Sequence, residues 1–185
     1  QTDLQARFER ADIRTFSYRH GGVEGVLATI RELGDVTGRS SEAGRVADGV
    51  PARPDDVGRR VAGRPRPRVL LVFGRQRGTL REIYASGGEG FLHEMLQIAG
   101  GENVFGDAAR ESVQPSTETI LARAPDVILE ISATGLGDGG AAREAAAWSP
   151  LASLPAVRER RIYFLEGDYL VVPGPRIPAP TEALA

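Results

Sequence analysis

The sequence predicts an α/β fold, a three-layer arrangement of helices around a mostly parallel sheet. Three observations carry that expectation. Val69–Phe73 and Val127–Ser132 are almost continuous apolar runs of strand length. Such runs suit strands buried on both faces, as in parallel sheets, and not half-exposed strands with alternating polarity. Between and after them lie segments with helical spacing, so that strands and helices alternate from Arg68 onward, which is the pattern of crossover connections.

Taken in order, residues 1–20 read as a helix end followed by a short strand, Ile13–Tyr18, with alternating sides. Val23, Val26, Leu27, Ile30 and Leu33 form a helical stripe that Gly34 and Gly38 are expected to end, Gly38 as a carboxyl-terminal cap. Ser40-Ser41-Glu42 opens a second helical segment that runs to about Ala62. Gly49, Pro51 and Pro54 should break or kink it near residues 49–55, because an internal proline loses a hydrogen bond and crowds the preceding turn. Arg64-Pro65-Arg66-Pro67 is an extended approach to a strand. Helices are then expected at 89–99, 117–124, 140–147 and 150–154, and strands at 69–73, 127–132 and 161–165. Residues 66–185 make one α/β unit, and 1–38 look like the tail of another whose beginning is missing.

Composition narrows the function. The 185 residues can bury a real core. A formal net charge of −2 argues against a nucleic-acid partner. All 23 basic residues are arginine, so Schiff-base and P-loop lysines are excluded. There is no cysteine, hence no disulfide, thiolate metal site or cysteine nucleophile. Two histidines, His20 and His93, are too few for an ordinary histidine-built metal site, and His93 reads as a surface residue beside Glu94. No catalytic residue and no bound cofactor or metal is expected, and no run reaches the ~20 apolar residues of a membrane helix.

Three features could carry chemistry. Gly135-Leu136-Gly137-Asp138-Gly139-Gly140 fits G-x-G-x-x-G between a strand and a helix, and a nucleotide-dependent α/β enzyme using this loop is the alternative reading. The helix after it is only about two turns long, and no strand-ending acid follows at the usual distance of roughly 20 residues, so a surface loop is the better reading. Glu118 stands at the second position of a helix capped by Ser116. It either complements the helix dipole, for ~0.3–1 kcal/mol, or offers an exposed acid to an arginine of a partner protein. Arg75, Arg77 and Arg81 follow the strand 69–73, and Tyr84 and Asp168-Tyr169 also lie just past strands. Loops beyond the carboxyl ends of strands line the crevice of open α/β sheets, where arginine and tyrosine supply planar donors and a flat surface.

The ordered series Phe91-Leu92-His93-Glu94-Met95-Leu96 before Ala99-Gly100-Gly101-Glu102-Asn103-Val104-Phe105, Ser116-Thr117-Glu118-Thr119-Ile120-Leu121 before Pro125-Asp126-Val127-Ile128, Leu154-Pro155-Ala156-Val157 and Gly174-Pro175-Arg176-Ile177 resembles the substrate-binding proteins of ATP-binding-cassette importers for vitamin B12, ferric siderophores and haem. The resemblance implies two α/β lobes joined by a long helix, with ligand held between them. Residues 1–38 would be the remnant of the amino-terminal lobe, 39–65 the inter-lobe helix region and 66–185 the carboxyl-terminal lobe. It implies an extracytoplasmic, non-enzymatic carrier of cobalamin, ferric siderophore or haem, periplasmic or extracellular and possibly lipid-anchored, that delivers its ligand to an importer permease. Arg75, Arg77, Tyr84, Ser112, Asp168 and Tyr169 inherit the ligand-facing role, and Glu118 the permease-docking role. The loop Arg110-Glu111-Ser112-Val113-Gln114 departs from the tryptophan that B12 binders often carry there.

Overall fold

A computed structural model describes residues 2–16, 21–50, 52–167, 170–172, 174 and 184. Helix α1 (Thr2–Arg10) is followed by residues without regular structure, so the expected strand does not form over Ile13–Phe16, and Ser17–Tyr18 lie outside the described residues. Among the described residues no strand pairs with this segment, and an extended segment without a partner leaves its amides to water.

Helix α2 (Val23–Thr37) and helix α3 (Ser40–Gly49) form an antiparallel pair. Gly38, at φ 71°, turns the chain as expected, and the Arg39 amide donates to Gly34 O at 2.6 Å to close the cap. Gly34 does not end α2 but lies inside it, where a Cβ would stand 2.3 Å from the Ala43 Cβ. Its missing side chain is what lets α3 approach. The expected break follows: α3 stops at Gly49 and α4 (Ala52–Val61) starts afresh. Pro54 falls in the first turn of α4, where its missing N–H costs nothing.

Among the described residues the sheet has six strands, β1 (Arg68–Gly74), β2 (Tyr84–Ser86), β3 (Glu102–Asn103), β4 (Ser112–Val113), β5 (Val127–Ser132) and β6 (Ile162–Glu166). Their spatial order is β4-β2-β1-β5-β6, with β3 also paired to β1. The strands β1, β5 and β6 are parallel, with Leu70 opposite Ile128 and Leu129 opposite Tyr163. Strand β2 runs antiparallel to both β1 and β4. Crossovers are made by α5 (Gly90–Ile98), α6 (Thr117–Arg123), α7 (Gly140–Ala146), a 3-10 turn at Ser149–Leu151 and α8 (Pro155–Arg158).

Both faces of β1 and β5 are covered, which is why their sequences are apolar throughout. Val69, Leu71, Leu129 and Ile131 face one cluster with Val26, Leu27, Ala47, Val50, Leu92, Met95 and Leu96. Leu70, Val72 and Ile128 face the other, with Ile120, Trp148, Leu151 and Leu154. Each such side chain contributes about 1.5–3 kcal/mol on burial. Residues of α2 and α3 thus share a core with the sheet of the 66–185 unit. A polar tie reinforces the contact: Glu94 of α5 accepts a 2.7 Å hydrogen bond from the Val23 amide at the start of α2, an N-terminal cap supplied from another element. A Cβ on Gly22 would collide with that carboxylate.

Candidate functional site

Because β1, β5 and β6 are parallel, Gly74, Ser132 and Glu166 end at one edge of the sheet. From there β1 connects toward β2 on one side, whereas β5 connects toward β6 on the other. The chain therefore diverges between β1 and β5, the place where open α/β sheets leave a crevice. A hollow of about 160 Å³ lies there, bordered by Phe73, Arg77, Ser132, Thr134, Leu136 and Phe164. A second hollow of about 300 Å³ lies on the other side of Phe73, lined by Glu89, Phe91, Glu111, Ser112 and Val171.

The predicted ligand-facing residues divide sharply here. Tyr84 is 41% exposed, its ring tilted 38° against that of Phe73 with centroids 6.4 Å apart. Ser112 lines the larger hollow and opens β4, opposite Ser86 of β2. Arg77 is exposed and reaches Thr134 Oγ1 at 2.9 Å and Gly135 O at 2.8 Å, tying the loops after β1 and β5 together. Arg75 borders the smaller hollow from beneath. Its side chain is 3% exposed and turns inward. Nε and Nη2 donate to the two oxygens of Glu130, each at 2.9 Å, and Nη1 donates to Thr79 O at 2.9 Å. Its donors are thus occupied within the protein beneath the loop. Asp168 and Tyr169 lie outside the described residues.

Phe73 and Phe91 are the aromatic surfaces that sequence reasoning missed, and Phe73 borders both hollows. The available signal was an aromatic at the last apolar position of a strand, immediately before a glycine and an arginine-rich loop. His93 is a correction. It is half-buried, with Nδ1 3.3 Å from Asn103 Nδ2. Asn103 is buried, donates to Gly87 O at 2.9 Å and accepts from the Phe105 amide at 2.9 Å, so it fixes the turn between β2 and α5.

Glu118 occupies the same edge for a topological reason. Strand β4 runs in the direction of β1, so α6 begins on the carboxyl side of the sheet. Ser116 caps the helix by accepting from the Thr119 amide at 3.2 Å. Glu118 is exposed, and its own backbone amide, together with the Ser116 hydroxyl, holds its carboxyl below the ordinary carboxylate range.

The glycine loop does not support the nucleotide-dependent reading. Gly135, Gly137 and Gly139 take positive φ and α7 is seven residues long. The Glu166 carboxylate lies against Gly135, where a Cβ would be 3.0 Å from its Oε2. An acid beside the loop repels a pyrophosphate instead of cradling it. Among the described residues no group of three or more histidine, aspartate or glutamate side chains could hold a metal ion, and no helix is long and apolar enough to cross a membrane.

Residues 1–169 match the family model described as periplasmic binding protein. The chain belongs to that family. The high-affinity heme uptake system protein IsdE of Staphylococcus aureus is 24% identical over 130 residues, covering 70% of this chain and 43% of IsdE. The chain thus spans less than half the length of the curated relatives it matches. Among solved structures, an ABC transporter substrate-binding protein from Listeria monocytogenes EGD-e superposes with a TM-score of 0.81 at 22% identity, over 99% of this chain and 70% of that one. The periplasmic vitamin B12 binding protein BtuF of Vibrio cholerae gives 0.73 at 19% identity, over 100% and 68%. These likenesses establish the fold.

Proposed function

We propose that this chain is part of an extracytoplasmic solute-binding protein that captures a cobalamin, ferric siderophore or haem ligand between two lobes and delivers it to an ABC importer permease. The observation that carries the reading is the carboxyl edge of the sheet in a chain of the periplasmic binding protein family. There Phe73, Arg77 and Ser112 line two adjacent hollows, and the Tyr84 ring lies against that of Phe73. Aromatic faces with a few placed polar donors are what a largely preformed small-molecule cleft requires. Related proteins named for heme and vitamin B12 binding support the ligand class. The protein acts as a carrier with no catalytic step. Glu118, at the same edge, is the docking point offered to permease arginines.

Calorimetric titration of the full-length protein with haemin, cyanocobalamin and a ferric trihydroxamate tests this directly. Saturable binding of one of the three at a 1:1 or 1:2 ratio is expected. Absence of heat and of co-elution for all three rejects the ligand class.

A further inference from the structure

Glu144 lies on α7, outside the loops at the carboxyl edge, yet it holds one of them in place. Its Oε2 accepts from the Gly78 amide at 3.0 Å and stands 2.8 Å from Arg75 Nη2. Its backbone carbonyl accepts from the same Nη2 at 3.1 Å. Arg75 passes this restraint on, because its Nη1 donates to Thr79 O at 2.9 Å and to Gln76 O at 3.4 Å. The turn 76–79 is thus held at three backbone points by two side chains beneath it, with Glu144 only 13% exposed. The turn's own bonds, Thr79 N to Gln76 O at 3.2 Å and Gln76 N to Arg81 O at 3.0 Å, close it locally, and among the described residues the Gly78 amide, at φ +70°, is tied to α7 through Glu144. Arg77, at its tip, projects to Thr134 and Gly135 across the smaller hollow.

We propose that Glu144 is a positioning residue for ligand capture: from α7 it fixes the turn 76–79 and thereby the place of the Arg77 guanidinium at the mouth of the cleft. The proposal rests on the reading of this edge as ligand-facing. Loss of the carboxylate leaves Arg75 still paired with Glu130, so the core keeps its main ion pair, whereas Gly78 N loses its acceptor. Ordering a loosened turn at the moment of binding then weakens affinity by about three- to tenfold.

Hydrogen exchange read by mass spectrometry on the ligand-free full-length protein tests the first half. In Glu144→Ala, a peptide spanning 76–81 is expected to exchange at least tenfold faster while β1 and β5 peptides stay unchanged. Glu144→Gln, which can still accept from Gly78 N, is expected to restore most of the protection. Unchanged exchange over 76–81, or equal acceleration through β1 and β5, overturns the proposal. Titration with haemin, cyanocobalamin and a ferric trihydroxamate tests the second half. A higher Kd in Glu144→Ala, recovered in Glu144→Gln, supports it, and equal Kd values in all three proteins overturn it. A wild-type protein that binds none of the three rejects the ligand-capture role together with the functional reading, while the exchange result still decides the coupling between α7 and the turn.

Discussion

Arg75 and Glu130 form a two-pronged pair across the β1–β5 boundary, with Nε and Nη2 each 2.9 Å from a carboxylate oxygen and side chains 3% and 10% exposed. Glu130 occupies an inward position of β5, on the face that Ile128 fills with apolar surface. The same carboxylate accepts from Trp148 Nε1 at 2.5 Å, and the Arg75 guanidinium lies 5.9 Å from the centroid of that fully buried ring. A charge in this place is tolerated because its oxygens are occupied by donors.

Removing one partner should therefore be costly. Arg75→Met is expected to destabilise the fold by about 3–5 kcal/mol, since it leaves two buried carboxylates without their cation. Arg75→Lys keeps a charge but loses the planar fork, and should fall between the two. Urea unfolding followed by Trp148 emission measures both. A loss below ~1 kcal/mol for Arg75→Met would contradict the assigned role.

The α2–α3 contact predicts a reciprocal effect. Gly34→Ala places a Cβ 2.3 Å from that of Ala43, and overpacking of this kind costs about 1–3 kcal/mol. Adding Ala43→Gly removes the collision, at the roughly 1 kcal/mol that glycine costs in a helix. A double-mutant cycle on thermal or urea unfolding should then show a favourable coupling between the two positions, and additive losses would argue against direct contact.

Glu94 should matter more than an ordinary residue of α5. Glu94→Ala removes the acceptor of the Val23 amide and is expected to cost about 0.5–2 kcal/mol, the range for loss of a helix N-cap. Amide exchange at the first turn of α2 should accelerate before that of the sheet. Protection that survives unchanged would mean that the cap is dispensable.

Glu118→Arg should reduce uptake of the ligand by the assembled importer without changing the Kd of the free protein. Because the carboxyl of Glu118 is held below its ordinary range, it stays charged at every pH above that range. Any docking attraction is thus present at neutral and mildly acidic pH and is lost as pH falls through the lowered folded value. The attraction is between exposed charges, so it should also weaken with added salt. A change in ligand affinity in Glu118→Arg would place the residue in the cleft instead.

Much of the scaffold was legible because it follows from local rules. Strand β5 takes the bounds that its apolar run marks, Val127–Ser132, and helices start or stop at Ser116, Gly38 and Gly49 as capping and helix-breaking chemistry require. The strands of two or three residues, β2, β3 and β4, were not legible. Segments that short carry no periodicity, and they are strands only because β1 offers hydrogen bonds to β2 and β3, and β2 to β4. For the candidate site, an arginine-rich loop after β1 pointed to the carboxyl edge of the sheet, where the two hollows lie, but could not sort its members. Arg77 and Arg75 are two residues apart in one loop, yet the first reaches across the crevice and the second turns beneath it.

The sequence by itself determined the layered α/β architecture and pointed to the carboxyl edge of the sheet as the place for a ligand. It did so because apolar runs, caps and breakers act through neighbours a few residues away. Tertiary structure alone decided which arginine is buried, which aromatics border the hollows and which carboxylate steadies the turn. Those outcomes depend on partners 55 and 66 residues distant, Glu130 for Arg75 and Glu144 for Gly78, and a buried charge goes where its counter-charge and hydrogen-bond donors happen to meet it.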